Sequence, residues 1–410
     1  MSNQRTRRPI LSGLRVLDIS HQYAAGNTCA ILADFGADVL HVEHPEGSPV
    51  RTMLPKKGAH SMWWKVAQRG KKHITLNLST PKGRDILLRL AKDFDLLVEN
   101  FRPGTLERWG LGPADLEKAG LNLTMVRISG FGQTGPYSPR PGFGTVAEAL
   151  SGFAHMNGEP DGPPTFPSTT LADGVASLWG VIGAMTSLYA NLRDDTRKGV
   201  EVVDVALFEG LFRIVPTQIP TYQQNGVVQT RPGNYLGDHG ALRNTWRTRD
   251  NKFYVAAAVG PAAVRKVLVG AGATELVEFL DSTKVMYDVD PAKIEAFLWR
   301  CNEHMIAWSG RHDWAEVTAA LTASDAVHSP VYSAAEIMDD PHYQAREDLV
   351  TLPDDDLGPI TMQGIVPKFP GREHKIRHPG RAKGYDNQEV YASLGITGSD
   401  LSALKREGIV

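Results

Sequence analysis

Over the first 205 residues, short apolar and β-branched runs alternate with longer segments of helical periodicity. LRVLDI (14–19) reads as a buried strand, and 26–35 as a helix stopped by Gly36. DVLHVE (38–43) and HITLNL (73–78) are the next strands. Thr80 then stands as an N-cap with Pro81 at the first helical position, opening a helix to about 94. DLLVEN (95–100), TMVRIS (124–129) and VEVVDVAL (200–207) complete the strand set. Between the last two lie a segment dense in Gly and Pro, 130–167, and a long buried helix, 171–192. Strands alternating with helices predict parallel pairing, an α/β fold with a Rossmann-like sheet. The pattern then changes. Residues 225–250 are polar and glycine-rich, as a linker or an active-site loop would be. KFYVAAAV (252–259) is a strand, and 261–325 is largely helical, with Trp299, Met305, Trp308 and Trp314 at helical spacing. Strand-like and helical segments resume at 328, and the C-terminal stretch is expected to return to the first domain.

Composition narrows the class. At ~150 residues per domain, 410 residues favour two or three domains. With 42% hydrophobic and 22% charged residues the chain can bury a full core, which excludes global disorder and fibrous classes. A formal net charge of -2, from 44 Lys+Arg against 46 Asp+Glu, gives no field to hold nucleic acid or an acidic membrane. Cys29 and Cys301 lie far apart and fit no metal spacing, which suits a reducing cytoplasm. No apolar run of signal-peptide length follows the basic start, so export is not expected. The longest apolar stretch, 175–190, is shorter than the ~20 residues of a membrane span.

Several motifs carry possible chemistry. Gly130-Phe131-Gly132-Gln133-Thr134-Gly135 is formally GxGxxG after a strand. Pro136, Pro139 and Pro141 forbid the helix that would hold a pyrophosphate, so no nicotinamide site is expected. ENFRPG (99–104) lies at the end of a strand, where ligands of open α/β sheets bind. Arg102 and Arg108 there can hold phosphates bidentately, or be solvated loop arginines. Asp173, in TTLADGVASLWG, stands where the long helix begins. It reads either as an N-cap or as a carboxylate held ionised by the helix terminus and used as a nucleophile. HVEH (41–44) matches no metal-ligand spacing, so no metal is expected. No P-loop, GxSxG elbow or Cys-centred triad signature is present.

Taken in order, LSGLRVLDIS…GADVLHVEHPEGSPVR, KKHITLNLSTPKGRDIL, ENFRPGTLERWGL, RISGFGQTGPY and LADGVASLWGVIGAM resemble the family III CoA-transferases, the formyl-CoA and carnitine-CoA transferase group. The C-terminal SAAEIMDDP, QAREDLV and LGITGSDLSALKREGIV resemble the end of that family. The resemblance implies a large Rossmann-like CoA-binding domain from 1–224 and 328–410, interrupted by a smaller α+β domain at 225–327, in an interlocked homodimer. It implies acyl-CoA and a small carboxylic acid as substrates, with Asp173 as nucleophile. CoA contacts would fall at Tyr23 and Ala24 on the first loop, His44 after the second strand, Leu76 and Ser79 on the third, Asn100, Arg102 and Arg108 in the ENFRPG segment, and Arg140 with Phe143. The chain departs from the family in three places: Ala25-Gly26-Asn27 replaces Gly-Pro, Gly144 stands where many members carry an acid, and the run of glycines that closes over the site in some members is shortened to GNYLGDHG. Glu148, one helical turn on, either takes that place or faces solvent. GNYLGDHG (233–240) is a short candidate lid. Arg243 and Arg247 are candidate partners of an acceptor carboxylate, or ordinary surface charges. Two alternatives stand beside a CoA-transferase. An α-methylacyl-CoA racemase would pair the same aspartate with a histidine, where this chain has Phe143 and Gly144. A CoA-binding homologue without catalysis would retain the fold alone.

Overall fold

The computed structural model describes residues 7–194, 198–236 and 240–410. The chain divides into two compact units, one built from residues up to 153, 166–220 and 341–410, the other from 154–165 and 221–340.

In the first unit, among the described residues, six strands form one wholly parallel sheet. They are β1 (Arg15–Asp18), β2 (Asp38–Glu43), β3 (Lys72–Thr75), β4 (Leu96–Glu99), β5 (Leu123–Ser129) and β6 (Val200–Ala206). The spatial order is β3-β2-β1-β4-β5-β6. Two halves therefore diverge from β1 and β4, and loops leaving these neighbours in opposite directions open a crevice at their carboxyl ends. Inner strands such as β4 and β5 are buried along their whole length because both faces are covered, whereas β6, at the edge, carries Glu201 and Asp204. Successive side chains alternate between the faces. Leu17, Leu40, Leu97 and Met125 join one core with Ile86, Leu87 and Leu90 of α2 (Pro81–Ala91). Val16, Val39, Leu96 and Val126 join another with α1 (Tyr23–Asp34) and α4 (Leu171–Arg193).

The helix signals are partly as expected. Thr80 Oγ1 accepts from Gly83 N at 3.1 Å and Pro81 opens α2. Gly36 follows α1 with φ +102°, the left-handed stop that glycine tolerates. However, α1 starts at Tyr23, three residues earlier than its sequence suggests, so Tyr23 and Ala24 lie on the helix and not on a loop. Gln22 makes no side-chain cap bond, so this terminus carries no capping signal to read. The long helix α4 is buried on one side alone: Leu178, Ile182, Tyr189 and Leu192 are exposed. At 23 residues it exceeds the apolar run 175–190, and it is long and apolar enough to cross a membrane by length and composition. It packs on α1, β5 and β6. Between β5 and α4 lies α3 (Gly144–Leu150), and β6 leads into α5 (Leu207–Arg213).

The C-terminal segment seals the β3 edge, which would otherwise expose unpaired backbone. Asp386 Oδ2 accepts from His73 N at 2.7 Å, Asn387 Oδ1 accepts from Thr75 N at 2.9 Å, and Tyr391 donates to Thr75 O at 2.6 Å.

The second unit has its own core. Strands β7 (Ala241–Arg247), β8 (Phe253–Val259) and β9 (His328–Pro330) pair antiparallel in the order β9-β8-β7, with helices over 261–323. The sequence reads 225–250 as loop, but β7 occupies 241–247. Its buried residues are just Ala241, Leu242 and Trp246, too few to stand out among polar neighbours. Residues 237–239 of the candidate lid lie outside the described residues.

Candidate active site

Two cavities open beyond the carboxyl ends of the sheet. The larger, about 400 Å³, lies over β1, β2 and β3 and is lined by His44, Leu76 and Ser79 among others. The smaller, about 190 Å³, lies over β1, β4 and β5 and is lined by Ala24, Asn100, Arg102, Arg140, Phe143 and Asp173. His21 and Phe101 belong to both walls, with their rings stacked at 4.7 Å. Nine residues spread over 150 positions of sequence thus meet at the switch point of the sheet.

Asp173 is the third residue of α4, two positions inside the helix, so it is not the N-cap. Thr170 holds that position and makes no side-chain cap bond. Burial, then the nearby charge of Glu148, raises the Asp173 carboxyl to about 6. A Cβ on Gly144 would stand 2.1 Å from Asp173 Oδ2. The missing side chain at 144 is therefore what admits the carboxylate in this position. Glu148 is buried, and its Oε1 accepts from Ala172 N at 3.3 Å.

The walls are held by their own bonds. Asn100 Oδ1 accepts from His21 N at 3.0 Å, joining the loops after β4 and β1. Beneath ENFRPG, buried Glu99 accepts from Arg127 Nε at 2.7 Å and from Phe101 N at 2.6 Å. Burial raises Glu99 to about 7 despite the opposing pull of Arg127. Arg102 donates from Nε to Pro139 O at 2.8 Å, and the Arg140 guanidinium lies 3.9 Å over the Tyr137 ring. Gly130 and Gly142 touch: a Cβ on either would meet the other's Cα within 2.9 Å. Side chains there would lift the 139–143 segment off the end of β5. Residues 130–143 contain no helix, and α3 begins at Gly144.

The departure at Ala25-Gly26-Asn27 has a local reason. Lys71 Nζ reaches Gly26 O at 2.7 Å and Asp18 Oδ2 at 2.8 Å, both buried, and a Cβ at 26 would come within 2.9 Å of Gln68 Nε2. HVEH divides among separate tasks. His41 Nδ1 lies 3.0 Å from Asp18 Oδ2, Glu43 pairs with Arg51 at 2.6 Å, and His44 is exposed at the rim. Among the described residues, no group of three or more His, Cys, Asp and Glu side chains is placed to hold a metal ion.

Two expected site residues line neither cavity. Tyr23 packs edge-on against Trp63 at 4.8 Å. Burial and then the Asp173 charge push its hydroxyl upward, which places it in the field of the carboxylate. Arg108 is exposed on the turn Thr105–Arg108 and donates to Thr105 Oγ1 at 3.0 Å. His21 and Phe101 are the wall residues that sequence reasoning passes over. Their signal is position alone, directly after β1 and β4. Burial lowers the His21 pKa, favouring the neutral ring.

Residues 11–387 match the family model described as CoA-transferase family III. The chain is 34% identical to the succinyl-CoA--D-citramalate CoA-transferase of Chloroflexus aurantiacus, over 100% of both chains. It is 33% identical to the beta subunit of the succinyl-CoA--L-malate CoA-transferase of the same organism, over 98% of each. The acetyl-CoA:oxalate CoA-transferase of Acetobacter aceti is 30% identical over 90% of this chain and 92% of that one. Among solved structures, a CAIB/BAIF family protein from Brucella suis shares the fold with a TM-score of 0.80 at 24% identity, over 95% and 100% of the two chains.

Proposed function

Given that the chain belongs to CoA-transferase family III and is a CoA-transferase, we propose that it moves CoA between dicarboxylic acids through a thioester on Asp173. The single observation that carries this reading is Asp173 itself. It is a carboxylate in a cavity at the sheet's switch point, freed from capping duty and raised to about 6. Such a group is ionised at neutral pH yet more basic than an ordinary aspartate, which suits a nucleophile.

The steps follow from acyl exchange. An Asp173 oxygen attacks the donor thioester carbonyl, the C–S bond breaks, and a mixed anhydride and CoA thiolate result. The thiolate attacks Asp173 Cγ, the donor acid leaves as carboxylate, and the side chain becomes an aspartyl-CoA thioester. The acceptor carboxylate then takes the place of the donor acid, and the two steps run in reverse. Each stage trades one activated acyl bond for another, so no ATP is consumed. The tetrahedral states call for N–H donors fixed beside the carboxylate, and the 130–143 loop runs there.

CoA runs over Leu76, Ser79 and His44 in the larger cavity, then past Ala24, Asn100 and Phe143 toward Asp173, with Tyr23 behind it. Arg102, Arg108 and Arg140 balance the phosphates and the distal carboxylate of the acid. The dicarboxylate class rests on the relatives, whose names specify succinyl-CoA, citramalate, malate and oxalate. Two copies of the chain pair as a homodimer, covering the exposed side of α4. Both cysteines are free and buried, in keeping with a reducing cytoplasm. At the motif positions where a racemase carries the histidine that it pairs with the aspartate, this chain has Phe143 and Gly144.

The test is a matrix of acyl-CoA donors against free dicarboxylic acids, read by mass spectrometry, with hydroxylamine trapping of the Asp173 peptide. Asp173→Ala is expected to abolish turnover and the adduct while CoA binding persists. Turnover surviving that change would remove Asp173 from the mechanism. Absence of any adduct in the unaltered protein would favour a binding role.

A further inference from the structure

Gly144 presents no side chain to the carboxylate of Asp173, and the one acid on α3, Glu148, is buried. Its side chain is 2% exposed. A buried carboxylate needs compensation, yet among the described residues Glu148 forms no ion pair. What it has instead is the start of α4, where it accepts from Ala172 N at 3.3 Å. The first N–H groups of a helix have no partners within it, and Thr170 provides no side-chain cap. The cap of α4 therefore comes from a different helix, one residue before Asp173.

We propose that Glu148 is the positioning residue for Asp173: it closes the first turn of α4 and holds a fixed negative charge behind the nucleophile. The inference rests on the reading of Asp173 as nucleophile and goes beyond it in assigning what prepares that nucleophile. The charge acts on the chemistry directly. Free Asp173 is an anion, whereas the anhydride and the thioester leave that side chain uncharged. A neighbouring anion thus disfavours the resting carboxylate relative to both covalent states and makes it more basic in attack. The cap acts on geometry, since a first turn free to fray would let the carboxylate wander from the thioester carbonyl. Burial holds the Glu148 carboxyl above its ordinary range, as expected of an unpaired buried acid.

The other groups facing Asp173 are identifiable. Tyr23 comes from α1, His21 from the loop after β1, Arg102 from the end of β4 and Arg140 from the 130–143 loop, while α5 contributes neutral Leu207. The helix α5, which packs on α3, carries Glu209 and Arg213, and among the described residues neither is ion-paired with Glu148.

The experiment compares the full-length protein with Glu148→Gln, Glu148→Asp and Glu148→Ala. The readouts are the pH profile of kcat/KM, the yield of the trapped Asp173 adduct, and thermal unfolding. Glu148→Gln keeps an acceptor oxygen and removes the charge. It is expected to unfold close to the parent temperature, to lose about tenfold in adduct formation and kcat, and to shift the acid limb of the profile downward by about half a unit or more. Glu148→Asp, with the charge kept, is expected to restore the limb toward its parent position. Glu148→Ala is expected to lose thermal stability as well. A Glu148→Gln profile superimposable on the parent's, with adduct still formed, overturns the role of Glu148 and leaves the nucleophile reading intact. If Glu148→Gln does not fold, Glu148→Asp decides: an unmoved limb with a slowed rate supports positioning, and an unchanged rate overturns it. No adduct in the parent protein overturns both.

Discussion

Gly144 and Asp173 form a pair in which one residue's lack of a side chain defines the other's position. A β-carbon at 144 would come 2.1 Å from Asp173 Oδ2, a separation no non-bonded atoms sustain. The backbone at 144 is ordinary helix, with no positive φ to penalise a substitution. Gly144→Ala should therefore spare the fold, even adding helix propensity, while driving the carboxylate off its place. A displacement near 1 Å at a nucleophile costs about 10²-fold in rate. We expect kcat to fall by about that factor with the unfolding temperature nearly unchanged. Steady-state kinetics beside a thermal melt read both, and full activity in Gly144→Ala would show that the carboxylate does not work from this position.

At the scale of elements, α4 has two sides with different partners. The inner side meets α1 closely: Thr28 Oγ1 donates to Ser177 O at 3.1 Å, Ser177 Oγ donates to Ala24 O at 2.8 Å, and a Cβ at Gly180 would meet Thr28 Oγ1 at 2.7 Å. The outer side exposes Leu178, Ile182 and Tyr189, and Ile182 lines a cavity of about 720 Å³ together with Val202 and Phe212. We propose that this apolar surface is where two copies of the chain meet. Sedimentation analysis is expected to give a dimer, and Ile182→Asp to shift it toward monomer; a parent protein that sediments as a monomer would refute the pairing. Legibility in the sequence follows the same physics. The inner parallel strands are readable because burial on both faces makes apolar runs, and Thr80-Pro81 announces α2 by local chemistry alone. The start of α1 is hidden because nothing caps it, and β7 because three buried residues make too thin a pattern. In the site, Asp173 and ENFRPG stood out by motif. The bond from Ala172 to Glu148 and the fit of Gly144 against Asp173 belong to tertiary placement, which no single stretch of sequence encodes.

Across the whole molecule, two buried acids, Asp18 and Glu99, and the half-buried Asp173 respond to pH in opposite senses. Burial raises Asp18, but Lys71 and His41 beside it outweigh burial and hold its carboxyl well below the usual range. Its contribution to stability is present above the unfolded value of about 4 and is lost as pH falls below it. Asp173, at about 6, and Glu99, at about 7, are raised instead. Each binds its proton more tightly folded than unfolded, so stability declines as pH rises from about 4 through those values. The proposed nucleophile is thus kept in a destabilised ionised form, a common conflict between activity and stability. Asp173→Asn removes the charge that burial and Glu148 oppose. It should therefore stabilise the protein at about pH 8, by on the order of 1–3 kcal/mol, and by much less near pH 4, where the native aspartate is already protonated. Thermal or urea unfolding of the two proteins at both pH values measures the difference. An equal effect at the two pH values would mean that the Asp173 carboxylate is not destabilised in the folded chain, and with it would go the physical basis for its unusual basicity.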